Sequence, residues 1–173
     1  MEGSMFRSRP VLTGALSLAF SLAVMTPVAA PARAQDGGMW QVYIAGVPLS
    51  CASYYGEPVR IYMTRDLNNV GIATRVQNGQ PIIVMNPDVL ARFQPLVQVW
   101  WFAHECGHHA LGPYNSETNA DCWGVRVLRD QGFIRNVYDL QAFAYDLSSL
   151  PGSAVGHLPG PQRAQNVINC SLT

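Results

Sequence analysis

Lysine is absent from this sequence and charge is sparse: 13% of residues are charged, with 11 basic residues, all Arg, balanced by 11 Asp and Glu. A chain with no surplus of either sign carries no electrostatic footprint for nucleic acid or for an anionic membrane surface, so both are set aside as partners. The missing lysine itself is a composition bias to which no mechanism attaches. Also missing is any C-x-x-C pair among the four cysteines, which argues against a thiolate metal site. Residues 35–173 contain no internal repeat and no low-complexity tract. With 49% hydrophobic residues over the whole chain, one compact domain with a sizeable core is expected.

Long apolar runs are scarce too, and the exception is informative. Arg7 and Arg9 precede the apolar stretch Val11–Val28, and Ala32-Arg33-Ala34 offers the small residues that a signal peptidase requires. Residues 1–34 therefore read as an export signal cleaved after Ala34. The competing reading is a retained anchor, because Val11–Val28 approaches the ~20 apolar residues that span a bilayer. Cleavage leaves 8 basic and 10 acidic residues in 35–173, no stable membrane span, and a periplasmic or secreted location. In an exported chain, Cys51, Cys106, Cys122 and Cys170 favour two disulfide bonds. Cys106–Cys122 pairing is awkward on helical geometry, and the alternatives tie these two cysteines to Cys51 and Cys170. The connectivity stays open.

Residues 40–49 read as a single strand or extended segment. Three further short strands are expected at Val59–Met63, Gly71–Val76 and Pro81–Met85, rich in β-branched residues. Asn78-Gly79 marks a tight hairpin between the last two. Val89–Phe93 is expected to form a helical turn, and a long helix runs from Pro95 to Leu111, where Gly112 and Pro113 stop it. Ser116 caps a second helix reaching Gln131, and a link of five residues makes the two an antiparallel hairpin. A third helix is expected at Asp139–Ser149 with Asp139 as its cap. A Gly/Pro-rich loop over 151–161 leads to a last helix ending near Cys170.

Within the first long helix lies His104-Glu105-Cys106-Gly107-His108. A spacing of four puts both imidazoles on one face, about 6 Å apart along the axis, where both reach one tetrahedral ion. Glu105 lies roughly 100° round the helix, near that ion without having to ligate it. The antiparallel hairpin sets Glu117 level with His108, and Asp121 one turn on, level with His104. A carboxylate there accepts the other ring N–H of His104 and fixes its tautomer. Ala120 and Gly124 on the same side permit close approach of the two helices.

Together, His104-Glu105-x-x-His108 and Glu117-x-x-Ala120-Asp121 resemble the H-E-x-x-H plus E-x-x-x-D pattern of the gluzincin metallopeptidases, over residues 81–131. The resemblance implies one Zn²⁺ held by His104, His108 and Glu117, with Asp121 steadying His104, and an α+β zincin-like fold: a small, mostly antiparallel sheet packed on the metal-bearing helix, with a helical C-terminal part. It also likens Pro81–Met85 to the strand beside the substrate. This chain departs from many gluzincins in having far less sequence between the second His and the Glu. Residues His157 to Arg163 resemble a late H-P…R segment of the integral-membrane gluzincins and their soluble relatives.

The chemistry expected is hydrolysis of a peptide or protein by a metal-activated water, with Glu105 as general base. His157 is a candidate transition-state donor, and Tyr114 and Tyr145 are rivals for that role. His109 points away from His108 and takes a solvent-side or supporting place. Trp100, Trp101 and Phe102 pack the helix against the sheet, and a monomer is expected. Two other classes compete: a non-catalytic, zinc-stabilised exported binding module, and a disulfide-bonded structural protein without metal.

Overall fold

Strands β1 (Gln41–Ile44) and β2 (Val47–Ser50) pair antiparallel in a two-stranded sheet. The single extended segment expected at 40–49 is thus a hairpin. Ala45 and Gly46 reverse the chain with φ of 50° and 80°, and positive φ at both central residues is what a two-residue turn matched to strand twist requires. The more usual Asn-Gly signal is absent there, which hid the turn. These and the following elements come from a computed structural model that describes residues 39–153 and 156–170. The expected export signal and its cleavage site lie outside the described residues.

The second sheet comprises β3 (Arg60–Met63), β4 (Gly71–Arg75) and β5 (Pro81–Met85) in the order β3-β5-β4. β4 and β5 form the hairpin expected across Asn78-Gly79, but β3 runs parallel to β5. The sheet is therefore mixed rather than mostly antiparallel. Residues 64–70 carry the chain from β3 to the far side of β5, and the Asn86 amide ties that crossing down by donating to the carbonyls of Arg65 and Leu67. Being central, β5 is buried along nearly its whole length.

Asn86 also caps the short helix α1 (Pro87–Leu90), accepting from the backbone N–H of Asp88 and Val89, so this turn begins before the expected Val89. α2 (Pro95–Ala110) starts at a proline in its first turn and ends before Gly112, whose φ of 54° suits a residue without Cβ. A single 3₁₀ turn, Gly112–Tyr114, leads to α3 (Glu117–Asp130), capped by Ser116 through the N–H of Asn119. α4 (Val137–Ser148) is capped by Asn136, not Asp139. The Asp139 carboxylate is engaged instead by the backbone N–H and guanidinium of Arg135. α5 (Gly160–Ile168) completes an α+β arrangement of two small sheets and helices.

Eleven of the sixteen residues of α2 are buried, so this helix is enclosed between sheet and helices rather than lying on one surface. Three consecutive residues span about 200° of a helix and cannot form one stripe. Accordingly Trp100 faces away from the sheet: its indole donates to the Asp121 carbonyl at 3.2 Å and its ring meets Phe143 of α4. On α3, a Cβ added at Gly124 would come within 2.5 Å of the Trp100 indole, and one at Gly107 within 3.1 Å of the Ala120 backbone. Small residues at these crossings set the close α2–α3 approach on which the site depends.

The bridges join Cys51 to Cys106 and Cys122 to Cys170, fixing the connectivity the sequence left open. One staples the chain after β2 to the middle of α2; the other ties α3 to the end of α5 across 48 residues of sequence. Two disulfides fit an oxidising, extracytoplasmic environment. None of the described helices is long and apolar enough to cross a membrane. Replacing Cys122 and Cys170 by Ser is expected to lower unfolding free energy by about 2–5 kcal/mol, read from urea denaturation.

Candidate metal centre

Antiparallel packing of α2 on α3 is legible in the contacts themselves, since residue numbers fall on α3 as they rise on α2. Trp100 meets Gly124, His104 meets Asp121, and His108 meets Glu117. At the turn end, His104 Nε2 and His108 Nε2 are 3.1 Å apart with their rings perpendicular. Glu117 closes the triangle, one oxygen 3.5 Å from His104 Nε2 and the other 3.4 Å from His108 Nε2.

The outward nitrogens of both rings face acceptors. His104 Nδ1 lies 2.9 Å from Asp121 Oδ1, a close approach whose geometry is bent relative to an ideal hydrogen bond. His108 Nδ1 lies 2.8 Å from Asn115 Oδ1. These partners place the ring protons on Nδ1, leaving both Nε2 lone pairs and the Glu117 carboxylate converging on one point. Three acceptors so close are mutually repulsive unless a cation lies between them. Tetrahedral bonds of roughly 2.0–2.1 Å imply ligand separations of about 3.3–3.4 Å, and the observed 3.1, 3.4 and 3.5 Å bracket that spacing. The donor set fits a metal ion.

Charge tells the same story. Burial pushes His104 towards the neutral form, but Asp121, Glu117 and Glu105 outweigh it and hold its pKa above the ordinary 6.5. Burial pushes Glu117 the other way, yet the contact with His104 and the charges of His104, His108 and His157 leave its carboxyl below the usual range. The pocket attracts positive charge.

Residues supporting this triangle were only partly visible in the sequence. Arg163, fully buried on α5, sets Nη1 3.2 Å from Asp121 Oδ1 and Nη2 3.4 Å from Glu117 Oε2. Its guanidinium stacks on Trp101 at 4.5 Å and Trp100 at 5.0 Å, and its Nε donates to the Leu158 carbonyl. Burial lowers the pKa of Arg163, but a guanidinium stays protonated in proteins. Asn166, one turn further along α5, donates to Asp121 Oδ2 and to the Thr118 carbonyl. The signal available in the sequence was the spacing of Arg163, Asn166 and Cys170, which puts all three on one helix face.

Glu105 is buried outside the triangle, with Oε1 3.4 Å from His157 Nε2 and without a well-formed hydrogen bond to that oxygen among the described residues. His104, Glu105 and His157 also bring ligand atoms within 4.8 Å of one another, a second group able to hold an ion. A cavity of about 290 Å³ opens in front, lined by Glu105, His108, Glu117 and His157 and walled by Gly71, Ile72 and Ala73 of β4. The strand beside the cavity is therefore β4, an edge strand, rather than Pro81–Met85, which is interior because β3 occupies its other side.

Tyr114 and Tyr145 are 70% and 79% exposed, and neither lines this cavity. His109 is buried rather than solvent-side: Nε2 donates to the Ile82 carbonyl at 2.9 Å, and burial keeps its pKa below the ordinary value. Comparison with family models, curated proteins and solved structures finds no match for this chain.

Proposed function

We propose that this chain is an exported, zincin-like metallopeptidase of gluzincin type, with His104, His108 and Glu117 as zinc ligands and Glu105 as general base. The observation that carries the reading is the triangle of His104 Nε2, His108 Nε2 and Glu117 at 3.1, 3.4 and 3.5 Å, spaced for one tetrahedral ion. Three protein ligands suit a catalytic zinc, whereas structural zinc is usually closed by four.

Zinc bound here would supply Lewis acidity, lowering the pKa of a water towards ~7 and polarising a peptide carbonyl. The protein's own groups do the rest. Glu105 accepts the proton of the attacking water and returns it to the leaving nitrogen as the C–N bond breaks. His157 lines the same cavity beside Glu105, with Nε2 3.4 Å from Oε1, and its ring is the donor assigned here to the oxygen that gains charge. Among the described strands the outer edge of β4 is unpaired, and it offers backbone N–H and C=O groups for an extended peptide to lie against. Asp121 and Arg163 hold His104 and Glu117 in place.

Stripping the full chain with a chelator and restoring zinc tests the reading. Cleavage of unfolded casein is expected to vanish and return with stoichiometric zinc. Cleavage that persists without metal contradicts the assignment, and no cleavage in either state favours a zinc-stabilised binding module.

A further inference from the structure

Helix α5 carries the side chains that hold the metal triangle from behind, yet it has little means of standing alone. It is nine residues long, and of these Gly160, Arg163 and Val167 are buried. Isolated helices shorter than about 12 residues are marginal in water, so α5 keeps its shape through what it packs on. Its start is held by Arg163, whose Nε donates to the Leu158 carbonyl, and by Gly160, where an added Cβ would come within 2.5 Å of the Leu147 carbonyl. Its end is held by Val167 and by the covalent bond from Cys170, just beyond the helix, to Cys122 of α3.

That bond lies level with the carboxylates behind the metal site. On α3, Cys122 directly follows Asp121. On α5, Asn166 stands one turn before Cys170 and donates to Asp121 Oδ2 at 3.3 Å and to the Thr118 carbonyl at 3.0 Å. The other Asp121 oxygen faces His104 Nδ1 at 2.9 Å and Arg163 Nη1 at 3.2 Å. The bridge therefore closes a ring that runs through Asn166 to Asp121, and Asp121 orients a metal ligand. The two disulfides are also unequally shielded. Cys51 and Cys106 are 1% and 6% exposed, whereas Cys122 is only half-buried. Thiol–disulfide exchange needs access to sulfur, which favours attack at Cys122–Cys170.

We propose that the Cys122–Cys170 bridge is a redox-sensitive clamp on the metal centre. Closed, it holds α5 so that Asn166 and Arg163 orient Asp121 and Glu117; opened, it releases the end of α5 and with it much of the affinity for zinc. Opening by a dithiol transfers two electrons and two protons: the S–S bond breaks, Cys122 and Cys170 become thiols, and the dithiol closes its own disulfide. The chain then takes up zinc tightly only where the bridge is oxidised, outside the cytoplasm. The proposal rests on His104, His108 and Glu117 as ligands and is independent of Glu105 and of peptide hydrolysis.

The test measures zinc Kd on the full chain by competition with a chromophoric chelator. Cys122→Ser/Cys170→Ser opens the bridge without creating thiolates that bind zinc themselves, and its Kd is expected to be about 10–100-fold weaker than that of wild type. Ile44→Ala, which truncates the core at β1, controls for lost stability and should keep the wild-type Kd. Asn166→Ala should weaken zinc binding in wild type and add little in the double variant, because both changes act on the same carboxylate. Mild reduction of wild type by a dithiol, followed by alkylation and mass mapping, should label Cys122 and Cys170 before Cys51 and Cys106. A wild-type Kd in the double variant, an equal loss in Ile44→Ala, an undiminished effect of Asn166→Ala in the double variant, or earlier opening of Cys51–Cys106 overturns the clamp and leaves the metal centre intact. Oxidised wild type that binds no zinc overturns the metal centre, and the clamp with it.

Discussion

Glu105→Gln is expected to lower kcat for peptide hydrolysis by about 10²–10⁴-fold, the range associated with losing a positioned general base. The substitution keeps shape and removes only the capacity to take a proton. Glu105 lies outside the His104–His108–Glu117 triangle, so zinc content should stay that of wild type. Its side chain is buried beside His157, and a Gln amide can still meet that ring, so folding should survive as well. Metal analysis alongside the activity assay makes the result diagnostic. Loss of zinc in Glu105→Gln would place the ion in the alternative group of His104, Glu105 and His157, and the roles assigned here would change.

Arg163→Met should destabilise the protein by about 3–5 kcal/mol, the cost of removing one partner from a buried charged network. Asp121, fully buried, would be left without its guanidinium partner. Methionine retains much of the contact with Trp100 and Trp101, so the loss measured in urea would report chiefly on charge. Because Arg163 also reaches Glu117, zinc affinity should fall by about 10–100-fold, as happens when groups behind metal ligands are removed. Arg163→Lys restores the charge without the two-pronged geometry and should recover stability more than affinity. Equal effects of Met and Lys on both quantities would show that packing, not orientation, is what Arg163 contributes.

The hairpin of α2 and α3 was the most legible part of the sequence, because every signal in it is local. Pro95 opens one helix, Gly112 closes it, Ser116 caps the next, and the short link between Ala110 and Glu117 leaves little freedom in how they meet. Once that geometry holds, the four-residue spacings of His104/His108 and Glu117/Asp121 bring the four side chains together. The sheet was less legible because strand pairing is non-local. Nothing in Arg60–Met63 announces a parallel partner, and the crossing that produces it is anchored by Asn86, 19 and 21 residues beyond the carbonyls it holds. The cap of α4 was misplaced because Asn136 and Asp139 both suit that role and only the Arg135 contact separates them. The role of Arg163, a residue the late H-P…R resemblance reached without assigning it one, escaped for a related reason: the two carboxylates it meets lie more than forty residues away, and its burial depends on two tryptophans that read as ordinary core.

The most direct test of the account is zinc stoichiometry on the purified full chain, measured for wild type beside His108→Ala and Glu117→Ala. Three protein ligands around one ion predict about one zinc per wild-type chain, and loss of most of it in each variant. Wild type that takes up no zinc, or both variants retaining it in full, would contradict the metal centre and the function built on it.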